Sequence, residues 1–321
     1  MRDQDLLQEI LALATRLISI PSVTVGGDVR FKDLYEVRDQ IVSYLSHAGL
    51  KIYRFDEGDF PALIAAFPGG EKAPIMISGH FDVVAPEPDD GQFTPVIDGN
   101  YFCGRGTADM KTMVATLMVW MKYSLQAGPP YPPINLMLIG NEETGEGEAM
   151  GTPHVLSAMS GDPGWGSYRP ELFIAAERTG ETGDEIWGQI HTENRGAARV
   201  KLVAEGERAH SALAGGKEDL VTRLSAARQA VIELAEDYLT LYSDDGWFTL
   251  LRFPYFLVGE ENVYNITAHR GSLGVEIRPI PQDDVSSFIQ EVKNYAQANR
   301  LIVEDELIHP GIACSPSNPF L

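Results

Sequence analysis

The sequence predicts an α/β protein built on a mixed, mostly parallel sheet flanked by helices, with a ferredoxin-like α+β domain inserted after it. Two observations lead to this prediction. In the first half of the chain, short apolar runs of strand length alternate with longer helical stretches, as in a sheet that helices cover on both faces. From about residue 187 the order becomes strand, helix, strand, strand, helix, strand, which is typical of a ferredoxin-like fold.

The first half contains three helical patterns and four apolar runs of strand length. The helical patterns cover residues 5–19, 33–48 and 112–124. The apolar runs cover residues 62–67, 73–78, 134–139 and 171–176. We expect residues 1–186 to form one domain from these segments, with residues 313–321 returning to it.

The second half predicts two helices and four strands. Helical periodicity covers residues 219–242 and 284–300. Strand-like patterns cover residues 197–204, 248–258, 271–277 and 301–308. We expect residues 187–312 to form a separate domain.

The composition is that of a globular protein with a strong negative charge. The 321 residues are 44% hydrophobic and carry a formal net charge of −21. Such a surface repels phosphate backbones and anionic lipids, so we expect neither nucleic acid nor a membrane as a partner. Cys103 and Cys314 are too few for a disulfide framework, and Glu9 and Arg16 interrupt the N-terminal apolar pattern, unlike in a signal peptide. These features predict a cytoplasmic protein.

The first candidate site is GHFDVV, where His80 and Asp82 follow an apolar strand. Residues two apart on a strand point to the same side. The Asp82 carboxylate could therefore hold the imidazole nitrogen that does not face a metal and fix the tautomer of His80. The alternative for this pair is a solvated His and Asp at a strand end.

Four further carboxylates stand at the ends of predicted elements. Asp109 closes the Gly-rich turn GRGTAD before a helix, where it could be no more than an N-cap. Glu142 and Glu143 follow the strand INLMLI, and adjacent glutamates at such a place are usually surface charges. Glu177 follows the strand ELFIAA directly.

Together, these positions predict a metal site. Three apolar strands each deliver His or carboxylate groups at their carboxyl ends, and this is the edge of an open α/β sheet where ligands bind. Several converging carboxylates would repel one another without cations among them. One imidazole with several carboxylates suits Zn²⁺, Co²⁺ or Mn²⁺ better than Mg²⁺, which favours oxygen ligands alone.

The motifs GHFDVV, GRGTADMK and NEETGE, with the position of Glu177, resemble the metal-site motifs of the zinc aminoacylase/carboxypeptidase family. This resemblance implies a zinc exopeptidase-like catalytic domain with two Zn²⁺ ions per active site. It implies that His80 and Glu177 bind one ion, Glu143 the other, and that Asp109 bridges the two. It further implies that Asp82 orients His80 and that Glu142 is the general base for hydrolysis of the amide bond of an N-acyl amino acid or short peptide.

The second domain is similar to the inserted lid and dimerisation domain of the same family. The resemblance places His210, in GERAHSALAGG, where a histidine reaches the neighbouring subunit's active site, which implies a homodimer. It also matches Arg195, Asn262 and Arg278 to positions that hold the substrate carboxylate or backbone. An Arg fork suits a carboxylate, although each of these arginines could equally form a surface ion pair.

The sequence departs from the family pattern in two ways. Arg178 stands where the family usually has Pro, and the His that the second metal site takes from near the family's C-terminus has no match here. We therefore expect this chain to lack the closing part of its catalytic domain. The alternatives to a deacylase or carboxypeptidase are a dipeptidase of the same family and a non-catalytic binding scaffold, and the presence of Glu142 disfavours the scaffold.

Overall fold

The computed structural model describes residues 3–26, 29–56, 60–87, 91–144, 150–166, 168–177, 190–213 and 219–320. The chain divides into two compact units, the second of which begins at Ile190 and extends to Pro319. The predicted domain boundary, at residues 186 and 187, lies outside the described residues. Of the residues predicted to return to the first domain, Phe320 alone is grouped with the first unit among those described.

The described part of the first unit is a mixed five-stranded sheet with helices and two short strand pairs around it. Its helices are α1 (Asp3–Ile18), α2 (Phe31–Ala48), α3 (Lys111–Ala127) and α4 (Gly151–Gly161). Its strands are β1 (Val23–Val25), β2 (Lys51–Phe55), β3 (Ala62–Ala66), β4 (Ile75–His80), β5 (Val83–Val84), β6 (Val96–Asp98), β7 (Tyr101–Cys103), β8 (Ile134–Ile139) and β9 (Leu172–Ala175).

The five-stranded sheet has the order β2-β3-β8-β4-β9. Strand β3 runs antiparallel to both β2 and β8, whereas β4 runs parallel to β8 and β9. Strand β3 is therefore the one reversed strand in this sheet, and the predicted mixed, mostly parallel α/β class is confirmed. Strands β1 and β5 form a separate parallel pair beside the sheet, and β6 and β7 form a short hairpin.

Helices cover both faces of the sheet, which explains why its central strands β3 and β8 are buried without alternation. Leu136 and Leu138 of β8 face a core shared with α1, α2 and α3. Their neighbours Met137 and Ile139 face a smaller core that includes residues of α4. Helix α4 was not predicted, because it is short and has glycine at both ends, so it lacks a clear helical period.

Between residues 197 and 309 the second unit has the predicted order of strands and helices apart from one split strand, and a short strand pair outside this range was not predicted. Its elements are β10 (Glu193–Asn194), β11 (Ala197–Glu205), α5 (Leu220–Tyr238), β12 (Leu250–Arg252), β13 (Phe256–Val258), β14 (Arg270–Arg278), α6 (Val285–Ala298), β15 (Ile302–His309) and β16 (Ile312–Ala313). Its main sheet is antiparallel throughout, in the order β12-β14-β11-β15, with β13 also paired to β14. Side chains from α5 and α6 form one core with those of β11 and β14.

Two details of the second unit differ from the prediction. The single strand expected at residues 248–258 is split into β12 and β13 around Pro254, which has no backbone N–H for the ladder. The predicted return of residues 313–321 to the first domain does not occur at Ala313, which pairs with Glu193 of β10.

Among the described helices, none is long and apolar enough to cross a bilayer.

Candidate metal centre

Three neighbouring strands of the first unit bring the predicted site residues to one edge of the sheet. Strand β4 lies between β8 and β9 and runs parallel to both, so their carboxyl ends meet at the same edge. The register pairs His80 with Ile139 and Ser78 with Ala175. The residues that follow β8 and β9 therefore leave the sheet beside His80.

The imidazole of His80 is the buried centre of this group. Its Nε2 atom lies 2.9 Å from Asp109 Oδ1, 3.4 Å from Glu177 Oε1 and 3.9 Å from Glu142 Oε2. The His80 side chain is 1% exposed, whereas those of the three carboxylates are between 39% and 47% exposed. One face of the imidazole is thus closed by protein, and the carboxylates around Nε2 are open to solvent.

Asp82 lies on the closed side of the imidazole. Its Oδ1 atom is 3.3 Å from His80 Nδ1, and its backbone oxygen is 3.1 Å from the same nitrogen. Both neighbours of Nδ1 are acceptors, so the Nδ1 proton can stay in place when a cation replaces the proton that Nε2 holds towards Asp109.

Asp82 also holds the turn that follows β8. The backbone N–H groups of Glu142 and Glu143 donate to its two carboxylate oxygens, at 3.0 and 3.1 Å. The hydroxyl of Thr24 donates to Oδ2 at 2.7 Å. A fully buried carboxylate thus accepts from three donors on two other segments of the chain.

The electrostatics of the group show an excess of negative charge. Burial alone would lower the pKa of His80, but hydrogen bonds to Asp109 and Asp82 and the charges of Asp82 and Glu177 raise it to about 11. Burial raises the pKa of Glu143 to about 7, and the nearby charge of Asp109 adds to this. Burial and then the charge of Asp109 likewise raise the pKa of Glu177 to about 7, against the opposing effect of His80.

These residues fit a divalent cation. Ligand atoms of His80, Asp109 and Glu177 all lie within 4.8 Å of one another. A divalent cation among them would reverse the pKa shifts, because it competes with the proton for the imidazole nitrogen and stabilises ionised carboxylates. One nitrogen and two or more carboxylate oxygens is a donor set that Zn²⁺, Co²⁺ or Mn²⁺ accepts.

Glu143 lies next to this group without belonging to the set of three. Its half-buried carboxyl is close enough for its pKa to respond to the charges of Asp109, His80, Asp82 and Glu142. The bridging role of Asp109 and the role of Glu143 as ligand to a second ion stay predictions.

The predicted substrate and transition-state residues all belong to the second unit. The guanidinium of Arg195 lies 4.2 Å from the centre of the Trp247 ring and donates to the backbone oxygen of Phe248. Arg278 pairs with Glu276 at 2.9 Å. His210 is exposed and accepts the N–H of Ala212 at its Nδ1 atom, and Asn262 lies in an exposed turn with a φ of 66°.

Two residues near the site were missed by the sequence analysis. Thr24 contacts Asp82 across 58 positions of sequence. The fully buried Lys111 donates to the backbone oxygens of Leu17 and Ile20 at the end of α1. Burial lowers the pKa of Lys111 to about 7, against the opposing charges of Asp82 and Asp33. No local pattern marks Thr24, whereas Lys111, two residues after Asp109 in GRGTADMK, was visible as part of the motif.

Sequence comparison relates the chain to a family of peptidases. The model of peptidase family M20/M25/M40 matches residues 76–289. Succinyl-diaminopimelate desuccinylase of Bordetella petrii is 31% identical over 209 residues, which are 63% of this chain and 50% of that protein. The enzyme of the same name from Hydrogenovibrio crunogenus is 27% identical over 238 residues, 72% of this chain and 58% of that protein. The chain thus spans about half the length of the curated relatives that it matches.

Solved structures share the fold. An M20 family metallo-carboxypeptidase from Sulfolobus solfataricus superposes with a TM-score of 0.73 at 16% identity, covering 96% of this chain and 80% of that one. A dinuclear metal-binding M20 peptidase from Bacillus subtilis superposes with a TM-score of 0.62 at 13% identity, covering 98% of this chain and 78% of that one. At these identities the likeness concerns the fold alone.

Proposed function

We infer that this chain, which belongs to peptidase family M20/M25/M40, hydrolyses the amide bond of N-acyl amino acids or short peptides with the help of a divalent metal ion. The observation that carries this proposal is the meeting of His80 Nε2 with the carboxylates of Asp109, Glu142 and Glu177 at one sheet edge. Burial and mutual repulsion of the carboxylates disfavour such a group unless a cation lies among them.

We assign His80 and Glu177 to one metal ion, Glu143 to a second, and Asp109 to a bridging position between them. Support for this assignment comes from the 2.9 Å and 3.4 Å approaches of Asp109 and Glu177 to His80 Nε2. A bound zinc ion supplies a Lewis acid, which polarises the substrate carbonyl and lowers the pKa of a water molecule. Asp82 keeps the proton of His80 on Nδ1, so that Nε2 is free to bind the ion.

Glu142 is the proposed general base. Its carboxylate lies 3.9 Å from His80 Nε2 and is 47% exposed, so water can reach it. Glu142 takes a proton from the attacking water while a carbon–oxygen bond forms at the amide carbonyl. It then delivers that proton to the nitrogen as the carbon–nitrogen bond breaks, which releases an acid and an amine.

The substrate class follows from the relatives and from the charge of the protein. The Bordetella petrii relative is a desuccinylase by name, and we propose an N-acyl amino acid as the substrate of this chain. An anionic substrate meets a net charge of −21, so it needs local cations, for which Arg195 and Arg278 are the proposed sources. Asn262 is proposed to hold the substrate backbone and His210 to stabilise the oxyanion.

We also propose that two copies of the chain associate through the second unit, which would act as a lid and dimerisation domain. Support comes from large apolar side chains that are exposed on and after β13. Leu257 is 61% and Tyr264 is 86% exposed, and exposed apolar surface of this kind is typical of interaction sites. Sedimentation velocity over a range of concentrations tests this point, and a monomer at all concentrations would exclude it.

The Glu142→Gln variant tests the proposed reaction. We expect it to bind zinc as the unmodified protein does and to lose about 10³-fold or more in kcat, because the amide cannot accept the proton. Glu36→Gln, at an exposed position of α2, is the matched control and should keep full activity. The assay uses N-succinyl and N-acetyl amino acids and dipeptides.

The same assay separates the alternatives. A dipeptidase would cleave the dipeptides in preference to the acyl amino acids. A binding scaffold would take up metal and cleave no substrate in the set. Loss of zinc together with activity in Glu142→Gln would make Glu142 a ligand and overturn its role as base.

A further inference from the structure

We propose that Thr24 is a positioning residue of the metal centre, acting through Asp82 on both the His80 imidazole and the turn that carries Glu142 and Glu143. The inference rests on the proposed function for its effect on catalysis. Its effect on metal binding can be measured independently.

Asp82 is the point where these parts of the site are joined. Its Oδ1 atom faces His80 Nδ1 and accepts the N–H of Glu142. Its Oδ2 atom accepts the N–H of Glu143 and the hydroxyl of Thr24. The carboxylate is fully buried, so water cannot replace a donor that is lost.

Thr24 is the donor that joins this carboxylate to β1, a segment outside the turn that carries Glu142 and Glu143. The N–H groups of Glu142 and Glu143 come from the very turn that Asp82 positions, so they cannot fix Asp82 by themselves. Thr24 comes from β1, which pairs with β5 directly after Asp82, with Val23 opposite Val83. The N–H of Val83 also donates to Ser22 and that of Ala85 to Val25, which fixes the distance between the two segments.

The Thr24 side chain is itself well placed for this purpose. It is 4% exposed, and its hydroxyl proton is directed at Asp82 Oδ2 over 2.7 Å. A β-branched side chain has a restricted χ1 angle, so the hydroxyl position follows from the backbone of β1. Loss of the hydroxyl would free the carboxylate to turn about its χ2 angle. The contact to His80 Nδ1 and the two contacts to the turn would then change together.

The experiment compares Thr24→Val, Thr24→Ser and Ser22→Ala in the full chain. Thr24→Val deletes the hydroxyl and keeps the shape, whereas Thr24→Ser keeps the hydroxyl. Ser22→Ala is the matched control, because Ser22 is also buried and its hydroxyl donates to the backbone oxygen of Phe81, beside the site but not to Asp82. Thr24→Ala serves as a second deletion if the valine methyl disturbs folding.

The measurements are zinc affinity by competition with a chromophoric chelator, kcat and KM separately, and the unfolding midpoint of the metal-free protein. We expect Thr24→Val to bind zinc about 10- to 100-fold more weakly, the range found when outer partners of metal ligands are removed. Its kcat should fall by a similar factor with little change in KM, since the substrate contacts are left in place. Thr24→Ser should restore both values.

The outcomes distinguish a positioning role from a structural one. Equal loss of zinc affinity in Ser22→Ala and Thr24→Val would show that any buried hydroxyl there acts through stability, and would overturn the proposal. Unchanged zinc affinity in both Thr24 deletions would also overturn it. If the unmodified chain binds zinc but cleaves no substrate, the proposed function fails, and the zinc affinities still decide the role of Thr24.

Discussion

Glu9 joins the three long helices of the first unit through one carboxylate. It lies on α1 and accepts hydrogen bonds from Tyr44 of α2 at 2.6 Å and from Tyr123 of α3 at 2.6 Å. Lys122 of α3 donates to it as well, at 2.5 Å. The Glu9 and Lys122 side chains are only 22% and 24% exposed, so this group is better shielded than a surface ion pair.

The Glu9→Gln variant keeps the size of the side chain and removes its charge. A glutamine offers a single acceptor oxygen, so at least one of the three donors loses its partner, and Lys122 loses its counter-charge. Hydrogen bonds to charged groups contribute about 1.5–3 kcal/mol when buried, and exposed ion pairs contribute less than about 1 kcal/mol. For this partly shielded group we expect a loss of about 2 kcal/mol in the free energy of unfolding at pH 7.

The stabilisation should depend on pH in a defined direction. Burial alone would raise the pKa of Glu9, but hydrogen bonds from Lys122, Tyr123 and Tyr44 lower it below its usual value of 4.5. The folded state therefore binds the proton more weakly than the unfolded state. The contribution is complete above pH 4.5 and is lost as the pH falls through the lower pKa of the folded protein.

The measurement is urea unfolding of three proteins: Glu9→Gln, the unmodified protein and the exposed-site control Glu36→Gln. The difference between Glu9→Gln and the unmodified protein should be equal at pH 8 and pH 6 and should shrink below pH 4.5. A difference under about 0.5 kcal/mol at pH 7, or one that grows in acid, would refute the account. So would an equal loss in Glu36→Gln.

Two glycines in close contact with backbone give further predictions, both measured by urea unfolding. A Cβ at Gly140 would lie 2.9 Å from the Phe81 ring and 3.0 Å from the backbone oxygen of Pro61, so Gly140→Ala should cost about 1–3 kcal/mol. Gly140→Ala should also lower kcat, because the turn with the proposed base follows directly. Unchanged stability would contradict the close packing at Gly140. A Cβ at Gly196 would lie 2.0 Å from the backbone oxygen of His309, so Gly196→Ala should cost about 3 kcal/mol and unfold the second unit first. A loss under about 1 kcal/mol would contradict the packing seen there.

The sequence predicts those parts of the fold that depend on local periodicity. The apolar run at residues 134–139 coincides with β8, since a strand covered on both faces needs apolar residues at every position. The second unit follows its predicted pattern because β11 partly alternates between buried and less buried residues and α5 and α6 bury one face. Helix α5 begins at Leu220, one residue after the predicted start, and the side chain of Asp219 accepts the N–H of Thr222 as an N-cap.

The parts that escape prediction depend on contacts between distant positions. The link from Thr24 to Asp82 spans 58 residues, and no period or motif in a single sequence marks such a pair. The stacking of Arg195 on Trp247 is of the same kind. The division of residues 248–258 into two strands depends on how Pro254 and its neighbours meet β14, which a strand pattern does not specify.

His80, Asp109 and Glu177 are the residues proposed to hold a catalytic metal ion. The most direct measurement is anomalous diffraction at the zinc edge from crystals of the chain grown with zinc. We expect a peak about 2.0–2.2 Å from His80 Nε2 and from carboxylate oxygens of Asp109 and Glu177, the usual distances for zinc. A zinc ion at full occupancy elsewhere, with His80 Nε2 still hydrogen-bonded to Asp109, would contradict this assignment.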